Sequence, residues 1–205
     1  MVHPVWPINS IVGIKLAQDL IMRAFLTTSI SIASALALSL APSAALSAPK
    51  DIWDTAAAKT GIDKKDIQSI CITESGIKFN DGYRRPWPYV LNSSYGPMFF
   101  HTREKASEML AHLISLKVKN IDVGMCQLNL AYHGHRVTNP HDLLDPVVNL
   151  NVASDYLKEL MRRYNGDIVN VVAAYHTGSL GKKEQVDRGQ NYVNSVIKVK
   201  GKLSQ

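Results

Sequence analysis

Residues 63–76 read Asp-Lys-Lys-Asp-Ile-Gln-Ser-Ile-Cys-Ile-Thr-Glu-Ser-Gly. Asp63 suits the N-cap of a helix beginning at Lys64, because a short side-chain oxygen can accept from a first-turn N–H, and Asp66 complements the positive end of the helix. Ile67, Ile70, Cys71 and Glu74 then fall at i, i+3, i+4 and i+7, on one face. Gly76 reads as the C′ residue beyond the helix, which puts Glu74 in its last turn. Apolar neighbours withhold hydration from that carboxylate and the negative helix end opposes its charge, so both effects raise its pKa. The plainer reading is a surface glutamate beside a turn.

Downstream, Pro86 and Pro88 break helix, while Tyr89-Val90-Leu91 and Met98-Phe99-Phe100 favour strand around the turn residues Ser93 to Gly96, a small hairpin. Thr102 suits the cap of a helix carrying Ala106, Met109, Leu110, Leu113 and Leu116 on its apolar side, and Ile121 to Val123 is a short extended piece entering Gly124. Asp145-Pro146 is a cap followed by proline at the first helical position. The helix it opens carries Leu150, Ala153, Leu157, Leu160, Met161 and Tyr164, closed by Asn165-Gly166. Ile168 to Tyr175 is almost wholly apolar, and periodicity does not separate a buried strand from a buried helix there. A last amphipathic helix covers Gln190 to Lys198. The pattern is mainly α with a small β-hairpin (α+β).

With 205 residues, 46% hydrophobic and 20% charged, the chain has the apolar content for one core. No internal repeat or low-complexity run points to a solenoid or a disordered tail. The first fifty residues differ from the rest. Residues 1–21 form a preface with two prolines and a tryptophan, Met22-Arg23 reads as the natural start, and 22–48 reads as a signal peptide. In it Ala24 to Ala41 is uncharged, and Ser43, Ala44 and Ala45 supply the small residues a signal peptidase needs. Residues 49–205 are then one exported domain, periplasmic and without a stable membrane span once the signal is cleaved.

Cys71 and Cys126 lack the paired spacing of a structural zinc site, and both a disulfide and a buried free thiol fit them. His133-Gly134-His135 invites a metal reading, but no carboxylate or third histidine stands at a ligand spacing, so no metal and no cofactor is expected. The net charge of +6 suits an anionic partner, with Lys182, Lys183, Lys198, Lys200 and Lys202 near the C-terminus. The aromatic and arginine interleaving used to stack bases is missing, which argues against nucleic acid and for an acidic cell-wall polymer.

Glu74-Ser75-Gly76 opens a series of motifs continued by Asp122-Val123-Gly124-Met125-Cys126-Gln127-Leu128-Asn129, by Asp145-Pro146 with Asn149 to Asn151, by Ala174-Tyr175-His176-Thr177-Gly178, and by Tyr192-Val193 with Val196. In order and spacing the series resembles the SLT-type lytic transglycosylases of the lysozyme-like superfamily, over about residues 52 to 199. The small enzymes that accompany conjugation, type IV pili and secretion channels are closest in pattern.

The resemblance implies a lysozyme-like fold in which the acid-bearing helix and a β-hairpin flank a glycan cleft. It also implies a single catalytic acid, Glu74, that cleaves the bond between N-acetylmuramic acid and N-acetylglucosamine in peptidoglycan and leaves a 1,6-anhydro end. Gln127 and Tyr175 would line the sugar cleft, and Ser75 and Tyr192 would support Glu74 and the glycan. Each has a structural alternative: Gln127 as a turn cap, the tyrosines as core rings. Cys126 replaces a usual Met and His176 a usual Asn, and His176 adds a titratable group. The rival functions are a goose-type lysozyme-like hydrolase, with Asp81 or Asp122 as second carboxylate, and a non-catalytic peptidoglycan-binding assembly factor.

Overall fold

A computed structural model describes residues 51–203. The readings of residues 1–21 as a preface, of Met22 as the start and of 22–48 as a signal lie outside the described residues. Helix α1 spans Ile52–Thr60 and α2 spans Lys64–Ser75. Two short strands follow, β1 (Ile77–Lys78) and β2 (Arg84–Arg85), and then the hairpin strands β3 (Val90–Ser93) and β4 (Gly96–Phe99). Helix α3 (Arg103–Ser115) leads to β5 (Asp122–Val123), β6 (Leu128–Asn129) and a single turn α4 (Leu130–His133). Two 3-10 turns, Gly134–Arg136 and Pro140–Leu144, precede α5 (Pro146–Arg163), α6 (Ile168–Thr177) and α7 (Lys183–Leu203). The chain is thus mainly helical with small antiparallel sheets, the lysozyme-like arrangement.

The helix starts follow the cap logic. Asp63 Oδ1 accepts from Lys65 N at 2.8 Å, Thr102 Oγ1 from Lys105 N at 3.3 Å, and Asp145 Oδ1 from Val147 N at 2.8 Å and Val148 N at 3.1 Å. Asp167 decides the ambiguous 168–175 run. Its side chain accepts from Val169 N and Asn170 N, which nucleates a helix, and Gly178 at φ 75° closes it. The last helix runs well beyond Gln190 to Lys198 at both ends, because its first turns are highly charged and hide their amphipathic face. Gly189, in that hidden part, packs where a Cβ would stand 2.8 Å from the Ala173 Cβ of α6.

Two local expectations are corrected. Gly76 is an extended C-cap at φ −63°, and glycine is required there because a Cβ would meet the Ile72 carbonyl oxygen at 2.4 Å. Leu116 falls beyond α3 and is exposed. In the hairpin, Ser93 pairs with Gly96 across a two-residue turn, so the strands lie nearer the tip than Tyr89–Leu91 and Met98–Phe100, and Gly96 takes φ 88°. The sheet is larger than one hairpin: β5 pairs with β3 and β6 with β5, in the order β4-β3-β5-β6.

One core joins these layers. Ile67, Ile70, Leu91, Leu110, Ile121, Leu128, Leu143, Leu157 and Leu160 are fully shielded from solvent, drawn from α2, β3, α3, the β5–β6 region, the Pro140–Leu144 turn and α5. Among the described residues no helix is long and apolar enough to cross a membrane.

Cys71 and Cys126 form a disulfide that ties α2 to the β5–β6 turn, with Cα atoms 4.3 Å apart. The bond closes a 55-residue separation, for which loop-closure entropy amounts to about 4 kcal/mol. Replacing both cysteines by alanine is expected to lower the unfolding free energy by about that amount. Urea denaturation of parent and variant under non-reducing conditions checks this, and coincident midpoints would contradict it.

Candidate active site

The β5–β6 turn is the platform on which the site is built. Gly124 turns the chain at φ 78° and Gln127 takes a left-handed φ of 49°, strain that a non-glycine residue tolerates only when its surroundings hold it. Asn149, fully buried on α5, does the holding. Its Oδ1 accepts from Cys126 N at 2.9 Å, and its Nδ2 donates to the carbonyls of Val123 at 2.9 Å and Leu143 at 2.8 Å. Any Cβ at position 124 would collide with that amide, at 2.3 Å from Nδ2. The Asp145-Pro146 cap and Asn149 therefore act together: the cap starts the helix and the amide one turn later fastens the loop.

Helix α2 is docked onto this platform beside Glu74. Ser75 Oγ donates to the Met125 carbonyl at 2.6 Å, has the Cys71 carbonyl at 3.2 Å, and accepts from Trp87 N at 3.1 Å. Its side chain is buried and absent from the cleft wall. Of the two roles expected of Ser75, support of Glu74 and of the glycan, its hydrogen bonds serve the first: they are spent on the protein, and the side chain braces its neighbour.

A cleft of about 850 Å³ opens over the platform. Glu74, Asp122, Gln127 and Tyr175 line it together with hairpin residues Asn92, Pro97 and Phe99, and α4 and α5 contribute Tyr132, His133, Tyr156 and Glu159. Burial pushes the Glu74 carboxyl up from 4.5 to about 7. The Tyr192 hydroxyl acts against that rise, and the nearby Asp122 charge adds to it. Tyr192 is itself buried, its hydroxyl near enough to bias the carboxyl but outside a well-formed hydrogen bond. Its ring stacks on His176 at 4.5 Å and 5°. His176 also lines the cleft, and desolvation and the Arg188 charge push its imidazole below the usual range.

Gln127 and Tyr175 are brought to the cleft, and both also do structural work. Gln127 Nε2 donates to the Gly124 carbonyl at 2.9 Å, and the Tyr175 hydroxyl donates to the Cys126 carbonyl at 2.7 Å. Burial, ahead of the Glu74 charge, holds the Tyr175 phenol well above its usual pKa, so it remains a neutral donor. Tyr192 lies behind the cleft wall, backing Glu74. Asp122 was underweighted by sequence reasoning. Its carboxylate accepts from Asn92 Nδ2 at 3.1 Å and Asn129 Nδ2 at 2.8 Å and faces the cleft. Its signal was the Asp122-to-Asn129 spacing, which closes across the turn. Asp81 stands apart from the cleft, ion-paired to Arg85, whose guanidinium holds the carboxyl below its usual range.

Residues 97–196 match the family model described as the Transglycosylase SLT domain. The match begins downstream of Glu74. No curated protein and no solved structure matches the chain.

The buried carboxyl has a measurable consequence for stability. The unfolded chain releases the Glu74 proton near 4.5 and the folded protein near 7. Between those values rising pH favours the unfolded state, and above them the penalty is constant. Glu74→Gln removes it, so the variant is expected to gain on the parent through that window and to level off at about 3 kcal/mol. Urea unfolding from pH 4 to 8 measures the gain, and a difference that does not change with pH would contradict it.

Proposed function

We propose that this chain, which carries a transglycosylase SLT domain of the lysozyme-like superfamily, is a peptidoglycan lytic transglycosylase with Glu74 as its one catalytic acid. The observation that carries the reading is a desolvated glutamate lining a long cleft, its carboxyl pushed up to about 7. A glycosidic oxygen is a poor leaving group and needs a proton in the transition state, and a glutamate titrating near the working pH supplies one.

The reaction runs in two proton transfers. Glu74 gives its proton to the oxygen bridging N-acetylmuramic acid and N-acetylglucosamine as the C1–O bond breaks. The substrate's own acetamido oxygen shares the positive charge that develops at C1. Glu74, now a carboxylate favoured by the Tyr192 hydroxyl, takes the proton of the muramoyl C6 hydroxyl as that oxygen bonds to C1. The product is a 1,6-anhydro sugar, water is not consumed, and the acid is regenerated.

Asp122 favours a second reading, because an inverting hydrolase needs another carboxylate across the sugar ring to activate water. Asp122 faces the same cleft, but both its oxygens are engaged by Asn92 and Asn129, which leaves it a poorer water base than a free carboxylate. Mass spectrometry of released muropeptides separates the two: anhydro ends for the transglycosylase, reducing ends for a goose-type hydrolase. The 22–48 signal reading supports export to the periplasm. The compact domain and the Asp122-type motif support local opening of the wall for a conjugation, pilus or secretion apparatus.

Glu74→Gln is expected to abolish lysis in a peptidoglycan zymogram, a loss of at least about a hundredfold for a general acid. Lysis by both proteins would place the acid on another residue, and lysis by neither would leave a peptidoglycan-binding role. In parent enzyme kcat/KM should fall as pH rises through about 7. Tyr192→Phe removes a group that holds the Glu74 pKa down, so that basic limb should move to higher pH. A limb that stays in place or moves lower would argue against the pairing.

A further inference from the structure

His133 ends α4 at the mouth of the cleft and is 9% exposed. Its ring lies 4.6 Å from that of Tyr156, and Tyr156 lies 5.5 Å from Tyr175, so the imidazole stands two ring contacts from the centre of the site. Nδ1 is sealed from solvent and has no hydrogen-bond partner among the described residues. Nε2 is absent from the sealed, unpartnered atoms, and the His133 side chain lines the cleft.

Arg136, Glu159 and His135 are the charged and titratable groups bearing on this ring. Burial and the Arg136 charge outweigh the Glu159 carboxylate and push the imidazole down to about 4. At neutral pH the ring therefore carries one proton. A buried N–H without an acceptor is rarer in proteins than a buried acceptor left under-satisfied, so the proton belongs on Nε2, facing the cleft. Arg136 spends Nη1 and Nη2 on the two Glu159 oxygens at 2.7 and 2.8 Å, and its Nε–H is buried without a partner among the described residues. The wall thus offers a neutral donor, suited to a neutral oxygen. Tyr132, next in sequence, is 71% exposed, lines the same cleft and presents an aromatic face of the kind that packs on sugar rings.

We propose that Tyr132 and His133 form a second substrate subsite, away from the cleaved bond, in which His133 Nε2–H donates to the carbonyl oxygen of a secondary amide on the bound strand. The inference rests on the reading of the cleft as a glycan site and names a residue pair that determines its grip on longer substrates. Two parts of the polymer carry such an amide, the acetamido group of a sugar and the backbone of a stem peptide.

The test is equilibrium binding of the full chain, carrying Glu74→Gln throughout so that strands are not cleaved, to a peptide-free N-acetylglucosamine hexamer and, separately, to peptide-bearing glycan strands. His133→Phe keeps a ring against Tyr156 and removes the donor, and His133→Gln restores an N–H. His133→Phe should weaken the hexamer by about three- to tenfold and His133→Gln should recover most of the loss. A loss confined to peptide-bearing strands, again recovered by glutamine, supports the subsite and assigns the oxygen to the stem peptide. Parent-like binding of both ligands by His133→Phe, or equal weakening by both variants, would overturn the inference. Because binding needs no turnover, a hexamer result of either sign leaves the Glu74 assignment to be decided by lysis alone.

Discussion

The site depends on one constraint: a carboxyl at the end of α2 must be kept out of water while facing a cleft open to a polymer. Desolvation raises its pKa, and desolvation requires that the helix end be pressed against something rigid. That something is the turn between β5 and β6. Two fastenings hold the two together, the Cys71–Cys126 disulfide and the Ser75 hydroxyl on the Met125 carbonyl, and Asn149 fixes the turn itself from α5.

Much of this was readable in the amino-acid order. Caps at Asp63, Thr102 and Asp145 announced three helices, because a short oxygen before an apolar stripe satisfies a local need that tertiary context seldom overrides. Glu74 was legible for a different reason, a charged group set on a greasy stripe. The 168–175 run was not legible as a helix from its periodicity, since a segment buried on every side has no polar face to mark its period. The β3–β5–β6 pairing was not legible either, because β5 and β6 have only two residues each and their register depends on Gly124 and the distant Asn149.

Site residues divide along the same line. Gln127 and Tyr175 were found through their motifs, yet each also carries a structural hydrogen bond that no spacing reveals. Ser75, expected to support Glu74 and the glycan, braces the helix end from behind the cleft wall, because neighbours in sequence at the end of a helix point about a hundred degrees apart. Asp122, with its amide partners on β3 and β6, and His133, with its aromatic contact on α5, are products of tertiary assembly. The cysteines left two outcomes open until the fold brought positions 71 and 126 together.

The surroundings of Glu74 hold its proton to near neutrality. A carbon-13 NMR titration of the glutamate side-chain carboxyls, with Glu74→Gln used to assign the resonance, measures this without recourse to activity. The account predicts a midpoint at about 7, displaced upward when Tyr192 is replaced by phenylalanine. A midpoint at the ordinary glutamate value of about 4.3 would show a hydrated, unexceptional carboxylate and contradict the account.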